Sequence, residues 1–405
     1  MRPGWPQSRP PAAEEATERR DTRLAPGRTS GRPSPYHRAM STTAGPPPLR
    51  YGIVGTGMMG LEHLRNLAAV PGAVVAAVAD THGPSRQGAL DEAARAGLDP
   101  PLVFADHRDL LASGACDAVV VATPNSTHAA VLDDVLDAGL HVLVEKPLCT
   151  TVADCRRIVE RAAGYPGVVA VGLEYRYMPP VAALVERVAA GAVGTVRMIA
   201  VREHRFPFLV KVGDWNRFNR NTGGTLVEKC CHFFDLMSLI AGSDPVRVLA
   251  SGGQDVNHLD ERYGGETPDI LDNAFVIVEY ASGVRASLDL CMFAEGSTNQ
   301  EELSVVGDTG KVEAFLPSGV VREGRRAGGP WGVVESVATD HRVRHEGFHH
   351  GASYLEHLAF AEAVRTGSRP TVGLGEGLSS VAVGVAAQRS IAEGRVVTLA
   401  EVLDG

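Results

Sequence analysis

The segment Tyr51-Gly-Ile-Val-Gly-Thr-Gly-Met-Met-Gly60 constrains this chain more than any other stretch. It sets three glycines in a Gly-x-Gly-x-x-Gly pattern between an apolar run and a helical pattern. Gly55 permits a tight strand-to-helix turn, and Gly57 lets a pyrophosphate approach the backbone without meeting a side chain. Gly60 lets the following helix pack closely on its strand, while that helix's free N–H groups face the phosphates. Glycine-rich turns alone are common. Here a second apolar run, 74–79, ends at Asp80, where a dinucleotide site wants a carboxylate for a ribose hydroxyl. Turn, helix and acid together predict a dinucleotide cofactor held first by Gly55, Thr56, Gly57, Met58, Met59 and Asp80. Asp80 should repel a 2′-phosphate, so NAD is expected over NADP, with Arg86 the nearest basic candidate against that expectation.

From Arg50 onward short β-rich runs alternate with amphipathic helices. Residues 51–54 precede a helix carrying Leu61, Leu64 and Leu67, and 74–79 precedes a helical stretch at 85–96. Residues 118–122 precede a helix with Val131, Leu132, Val135 and Leu136 at helical spacing, and 141–144 leads into 151–163 before 168–172 closes the series. Repeated βα units of this length imply a parallel sheet with right-handed crossovers, a Rossmann domain at 49–172. The rest, 173–405, reads differently. A helix at 180–190 is followed by strand-like runs at 195–202, 246–250, 274–280, 284–291, 303–306 and 312–315, with Ala281-Ser-Gly283 as a hairpin turn. Consecutive strands without intervening helices predict a second α+β domain with an open, mostly antiparallel sheet, finished by helices at 353–365 and 376–392.

Residues 1–48 are dense in Pro and Arg, poor in aliphatics, and end in Gly-Pro-Pro-Pro. Such a leader is expected to be disordered and to contribute no core, and Met40 stands close to the first strand as an alternative start. Its acids Glu14, Glu15, Glu18 and Asp21 count against an organelle presequence. A formal charge of −9 argues against a nucleic-acid surface. No apolar run reaches the roughly 18 residues of a membrane span. The six cysteines show no zinc-ribbon spacing and read as free thiols of a reducing cytoplasm.

In an open α/β sheet the ligand sits beyond the carboxyl ends of the strands. Ala122-Thr-Pro-Asn-Ser-Thr-His128 and Glu145-Lys-Pro147 stand at two such ends, and each proline turns the chain out toward the crevice. Thr123, Pro124, Asn125, His128, Glu145 and Lys146 are therefore expected to complete the cofactor site. These motifs, with Gly-Thr-Gly-Met-Met-Gly60 and in this order and spacing, make 50–402 resemble the Gfo/Idh/MocA oxidoreductase family. The tail Glu356…Phe360-Ala-Glu-Ala-Val-Arg-Thr-Gly367, then Arg369-Pro370, belongs to the same resemblance. It implies a nucleotide domain followed by an open sheet that often mediates oligomers, here a homodimer or homotetramer, and oxidation of sugars or cyclitols. It also implies that Lys146 approaches both the nicotinamide and the substrate hydroxyl.

A second motif is Gly223-Gly-Thr-Leu-Val-Glu-Lys-Cys-Cys-His-Phe-Phe-Asp235. Glu228 and His232, four apart, share one face of a helix, with Asp235 a turn beyond. The resembled family usually reads Asp-x-Gly-x-His-x-x-Asp here, so this chain carries a longer first acid and Cys230 for glycine. A zinc site of Glu228, His232 and the cysteines is disfavoured, because successive helical residues point roughly 100° apart; Cys231 reads as core and no metal is expected. Oxidising a secondary alcohol needs removal of the hydroxyl proton, for which Lys146, His232 and Glu228 are the catalytic candidates. His232 is favoured as base, closely followed by Lys146. Arg176, Trp215 and Asn219 are expected to join Lys146, Glu228 and His232 around the substrate, since aromatic faces with amides and guanidinium groups suit polyhydroxylated rings. His349 and His350 read as structural. The expected activity is an NAD-dependent dehydrogenase of a sugar, aminosugar or cyclitol. A redox-cycling glycosidase or a nucleotide-sensing regulator are the alternatives.

Overall fold

The computed structural model describes residues 47–404. The expectation for the leader lies outside the described residues except at Pro47 and Pro48. Six parallel strands form the first sheet: β1 (Leu49–Val54), β2 (Ala73–Ala79), β3 (Leu102–Phe104), β4 (Ala118–Val121), β5 (His141–Glu145) and β6 (Val169–Gly172). Their order, β3-β2-β1-β4-β5-β6, is that of a Rossmann sheet. The central strands are apolar on both faces because helices cover both sides; every residue of β4 is buried. Strand order reverses between β1 and β4, so a crevice opens at their carboxyl ends. The glycine turn and the Thr123 loop leave the sheet there.

β3 and the helix His107–Ala112 behind it were not anticipated. Three half-exposed residues carry too little pattern to announce a strand, and β3 exists because β2 offers it a parallel edge.

The second sheet has nine strands: β7 (Val196–His204), β8 (Pro245–Gly253), β9 (Asn273–Tyr280), β10 (Arg285–Cys291), β11 (Glu301–Gly307), β12 (Gly310–Leu316), β13 (Val320–Arg325), β14 (Val333–Val337) and β15 (Val397–Thr398). Their order is β14-β13-β12-β11-β7-β10-β9-β8-β15. All pairs are antiparallel except β7–β10, so the mostly antiparallel sheet expected from the sequence is present. Alternation is clean along β9: Ala274, Val276, Val278 and Tyr280 are buried, while Phe275 and Ile277 face outward. The buried face packs on the helices Cys231–Ala241 and Leu374–Glu393, and the other face is open. One apolar cluster runs without a break from Val121 and Val144 of the first sheet to Val276 and Val305 of the second. No described helix is long and apolar enough to cross a membrane.

The segment 223–235 corrects one expectation. It is not one helix but two, Thr225–Glu228 and Cys231–Ala241, interrupted at Lys229 and Cys230.

Candidate active site

The glycine turn is built as its residue types require. Gly55 has φ +89°, and a Cβ there would stand 2.6 Å from the Ala122 carbonyl oxygen. A Cβ on Gly60 would lie 2.0 Å from the Gly55 oxygen, which is the close helix–strand approach its position called for. Around Gly57 a Cβ would meet nothing within 4 Å, so the backbone stands open to the cleft. The helix Met58–Ala69 begins here with no side chain capping it, which leaves its first N–H groups for an anion. Asp80 follows β2 and is fixed: Oδ2 accepts from the Thr56 N–H at 2.7 Å, and Oδ1 accepts from the His82 N–H at 2.8 Å. Arg86 folds back onto the Asp80 and Thr81 carbonyls at 2.6 and 3.1 Å.

One cleft joins this turn to the loops of β4 and β5. Gly55, Gly57, Met58, Met59 and Asp80 line one end. Thr123, Pro124, Asn125 and Glu145 line its floor, and Lys146, Trp215 and Glu228 the other end. Two expected cofactor contacts lie elsewhere. The Thr56 side chain is buried against Asp80, which it helps to hold. His128 is fully buried and spans the Pro147 and Thr123 carbonyls at 2.8 and 3.1 Å, so it staples two cleft loops together instead of facing a ligand.

Glu145 and Lys146 owe their state to groups the sequence did not single out. His63, on the helix after the glycine turn, places Nε2 2.9 Å from Glu145 Oε1 and Nδ1 2.9 Å from His357 Nε2. With the carboxylate accepting from Nε2–H, His63 Nδ1 accepts from His357 Nε2–H. His357 Nδ1 is then a buried lone pair, and that atom has no partner. Burial pushes the Glu145 carboxyl up, but the hydrogen bond from His63 and the Lys146 ammonium outweigh it and hold it at about 2. Burial pulls Lys146 down, yet Cys231, Glu145, Glu228 and Glu174 around it keep it above the ordinary lysine value. Lys146 Nζ donates to the Glu228 carbonyl oxygen at 3.2 Å, tying the β5 loop to the broken helix.

His232 is 2 % exposed and does not line the open cleft. Its ring lies flat on Tyr175, with centroids 4.0 Å apart. Burial, then the neighbouring Lys146 and Lys229 cations, hold it well below the usual histidine value. Glu228 is pushed up by burial against the pull of Lys211 and Lys146. Lys229, in the break, donates to the Tyr175 hydroxyl at 2.6 Å and pairs with Glu203 at 2.8 Å, anchoring the interruption from behind.

Of the expected substrate contacts, Trp215 lines the cleft, whereas Arg176 and Asn219 do not. Arg176 makes a two-pronged pair with Asp235 at 2.6 and 2.5 Å, which occupies its fork. Asn219 is bound to Asp269 through its N–H at 2.7 Å and its amide at 2.8 Å. Lys211 enters in their place, half-buried on the cleft wall with its Nζ 5.4 Å from the Trp215 ring centre. A lysine between two valines, Val210 and Val212, gave no signal in sequence.

A Rossmann sheet with an open glycine turn, a fixed acid after β2 and a buried lysine at the same cleft defines a dinucleotide-dependent enzyme. Residues 49–173 match the family model described as "Oxidoreductase family, NAD-binding Rossmann fold", and residues 185–399 match "Oxidoreductase family, C-terminal alpha/beta domain". The chain belongs to the Gfo/Idh/MocA family of oxidoreductases, and its cofactor is NAD. It is 31 % identical over 348 residues to inositol 2-dehydrogenase 1 of Saccharopolyspora erythraea, covering 85 % of this chain and 95 % of that one. To the myo-inositol 2-dehydrogenase of Thermotoga maritima it is 28 % identical over 361 residues, covering 88 % of this chain and 100 % of that one. The solved structure of a probable dehydrogenase from Thermotoga maritima superposes with a TM-score of 0.70 at 26 % identity, covering 87 % and 100 %.

Proposed function

We propose that the protein oxidises a secondary hydroxyl of a sugar, aminosugar or cyclitol. The observation that carries this is one continuous cleft with the nucleotide turn at one end and Lys146, Glu228 and Trp215 at the other. The names of the inositol dehydrogenases similar to it over most of the chain support a cyclitol as the first substrate to try. Bound NAD supplies the nicotinamide that accepts a hydride. The protein's part is to place the hydroxyl and take its proton.

A base must be unprotonated at working pH, and a group that steadies a developing alkoxide must be charged. His232 is held neutral and Lys146 is held as ammonium. That supports His232 as the base and Lys146 as the donor to the reacting oxygen. The Lys146 charge acts on the His232 ring, which supports the two groups working at one site. Glu228 positions Lys146 through its carbonyl and faces the substrate with its side chain.

The test incubates the full chain with NAD and a panel of myo-inositol, scyllo-inositol, D-glucose and glucosamine, following NADH. Accumulation with one polyol is the expected result. Glycoside cleavage without net NADH would replace this reading by the redox-cycling glycosidase. No turnover of either kind, with NAD bound, would leave a nucleotide-sensing regulator.

The open face of the second sheet exposes Leu249, Phe275 and Ile277, which supports a homodimer or homotetramer formed there. Light scattering on a Phe275→Glu variant checks it, since a monomer is then expected. All six cysteines are free and five are buried, which suits the reducing cytoplasm.

A further inference from the structure

Glu174 is an anomaly of the interior. It opens the short turn Glu174–Tyr177 after β6, is 2 % exposed, and neither carboxyl oxygen has a hydrogen-bond partner. A buried polar group left unpaired is rare in a native fold, because its desolvation goes uncompensated. Two histidines face it. His232 Nε2 is 3.7 Å from Oε1, and His349 Nε2 is 3.5 Å from the same atom. Neither contact is a hydrogen bond at that distance, and a shift of roughly 0.5–1 Å turns either into one. Catalytic contacts are commonly this loose before substrate binds.

The two rings are prepared differently. His232 Nδ1 is buried without a partner, and an imidazole that gains a proton at one nitrogen can release one from the other. His349 Nδ1 stands 3.4 Å from Ser353 Oγ; a proton held there leaves the Nε2 lone pair toward Glu174. The His349 side chain is 21 % exposed, against 2 % for Glu174 and for His232. The cluster therefore leads from the buried base to water by a route that does not use the cofactor cleft.

We propose that Glu174 and His349 form the proton exit of the reaction, carrying to water the proton that His232 takes from the substrate hydroxyl. This rests on reading His232 as the base. The substrate O–H bond breaks as an N–H bond forms on His232, which gives up its Nε2 proton to Glu174 Oε1. The Glu174 O–H bond then breaks as His349 Nε2 takes that proton, and the His349 ring releases one to water. The hydride has gone to the nicotinamide, so one proton leaves per turnover and each residue regains its starting charge. Both rings are left as the other tautomer, and a ring turn or proton exchange with water resets them before the next turnover.

The surrounding charges fit this order. Glu145, Lys146, Lys229 and Glu356 face the carboxyl from three segments, and Arg205 and Cys231 complete the setting. Burial and then Glu145 raise Glu174 to about 8, Lys146 and Lys229 pulling less strongly the other way. A carboxyl there gains and loses a proton near neutral pH. Burial and the Lys229 cation hold His349 down at about 3, so it passes a proton on and does not keep it.

The experiment compares wild type, Glu174→Gln and His349→Ala on the polyol that gives NADH. Wild-type kcat should rise with pH through a limb near 8. Glu174→Gln should lose tenfold or more in kcat and lose that limb, with NAD affinity unchanged. His349→Ala should lose a similar factor and recover with added imidazole. Full kcat in either variant overturns the exit. So does a loss that leaves the limb in place and ignores imidazole, since that marks a merely structural role. A stoichiometric divalent metal in the purified wild type, lost in Glu174→Gln, overturns it too, because the three groups would then be ligands. If wild type oxidises none of the panel, the functional reading fails by itself. The exit is then judged by histidine ring ¹⁵N spectra, in which Glu174→Gln must move both His232 and His349. Unmoved signals would overturn it.

Discussion

Replacing Glu174 by Gln should stabilise the protein at neutral pH and do little in acid. In the unfolded chain this carboxyl ionises at its ordinary value of 4.5, and in the folded protein at about 8. Between those values the folded state holds one proton that the unfolded state lacks, so this group's contribution to stability falls as pH rises. Each pH unit is worth about 1.4 kcal/mol, so moving from about pH 5 to about pH 7.5 costs the wild type about 3 kcal/mol through this one group. Glutamine keeps the shape and cannot ionise. An unfolding entropy of about 2.1 cal/mol/K per residue over residues 47–404 converts that difference to about 4 °C. The assay is thermal unfolding of both proteins at the two pH values, with NAD absent. The Tm gain of the variant over wild type should be about 4 °C larger at the higher pH. Equal gains at both would show that Glu174 finds a partner or water that keeps it ionised, and would refute the argument that it is buried unpaired.

Asp80→Ala should weaken NAD binding about tenfold and relax discrimination against NADP, read by fluorescence titration, because Thr56 and His82 hold the carboxylate beside the glycine turn, where a ribose hydroxyl is expected. A wild type that binds NADP more tightly than NAD would contradict this. Lys146→Ala and His232→Ala should each lower turnover by about 10² or more, and the double variant should fall well short of the product, since on the proposed reading both act on one oxygen. Near-normal turnover in both would move catalysis elsewhere in the cleft. His63→Leu should release Glu145 from its donor, let its pKa rise, and so lower that of Lys146; the alkaline limb of kcat, where the ammonium is lost, should move to lower pH.

Much of the fold was legible because its elements are long and periodic. The runs of β1, β2, β4, β5 and β6 are apolar on both faces, and β9 and β10 alternate cleanly. What escaped was short or made by context. β15 is two residues laid against β8, and β14 is an exposed valine-rich edge that pairs only because β13 runs beside it. The glycine turn could be read in full, since Gly55 and Gly60 answer local steric demands and Gly57 leaves the backbone open to the cleft. Arg176 could not. Its position suggested a substrate contact, but its fate was settled by Asp235, 59 residues away in sequence and in contact only through the fold.

The same difference explains why residue types named the catalytic candidates but left Lys146 and His232 hard to rank. Which of two groups is the base is a question about charge state, and charge state belongs to neighbours. Lys146 stays an ammonium because Glu145 beside it stays ionised, and Glu145 does so because His63 reaches across from the glycine-turn helix. His63 in turn is oriented by His357, on the helix Ala352–Thr366 near the end of the chain. His232 stays neutral because it is buried beside two lysines, one of them tied down by Glu203 and Tyr175. On the proposed reading, three segments far apart in sequence divide the work of one proton transfer, with the cation on the β5 loop and the free lone pair on the helix after the break. If the proposed roles hold, a lysine and a histidine become a donor and a base only through that arrangement, and a substitution at His63 or Glu203 should disturb catalysis without touching either reacting group.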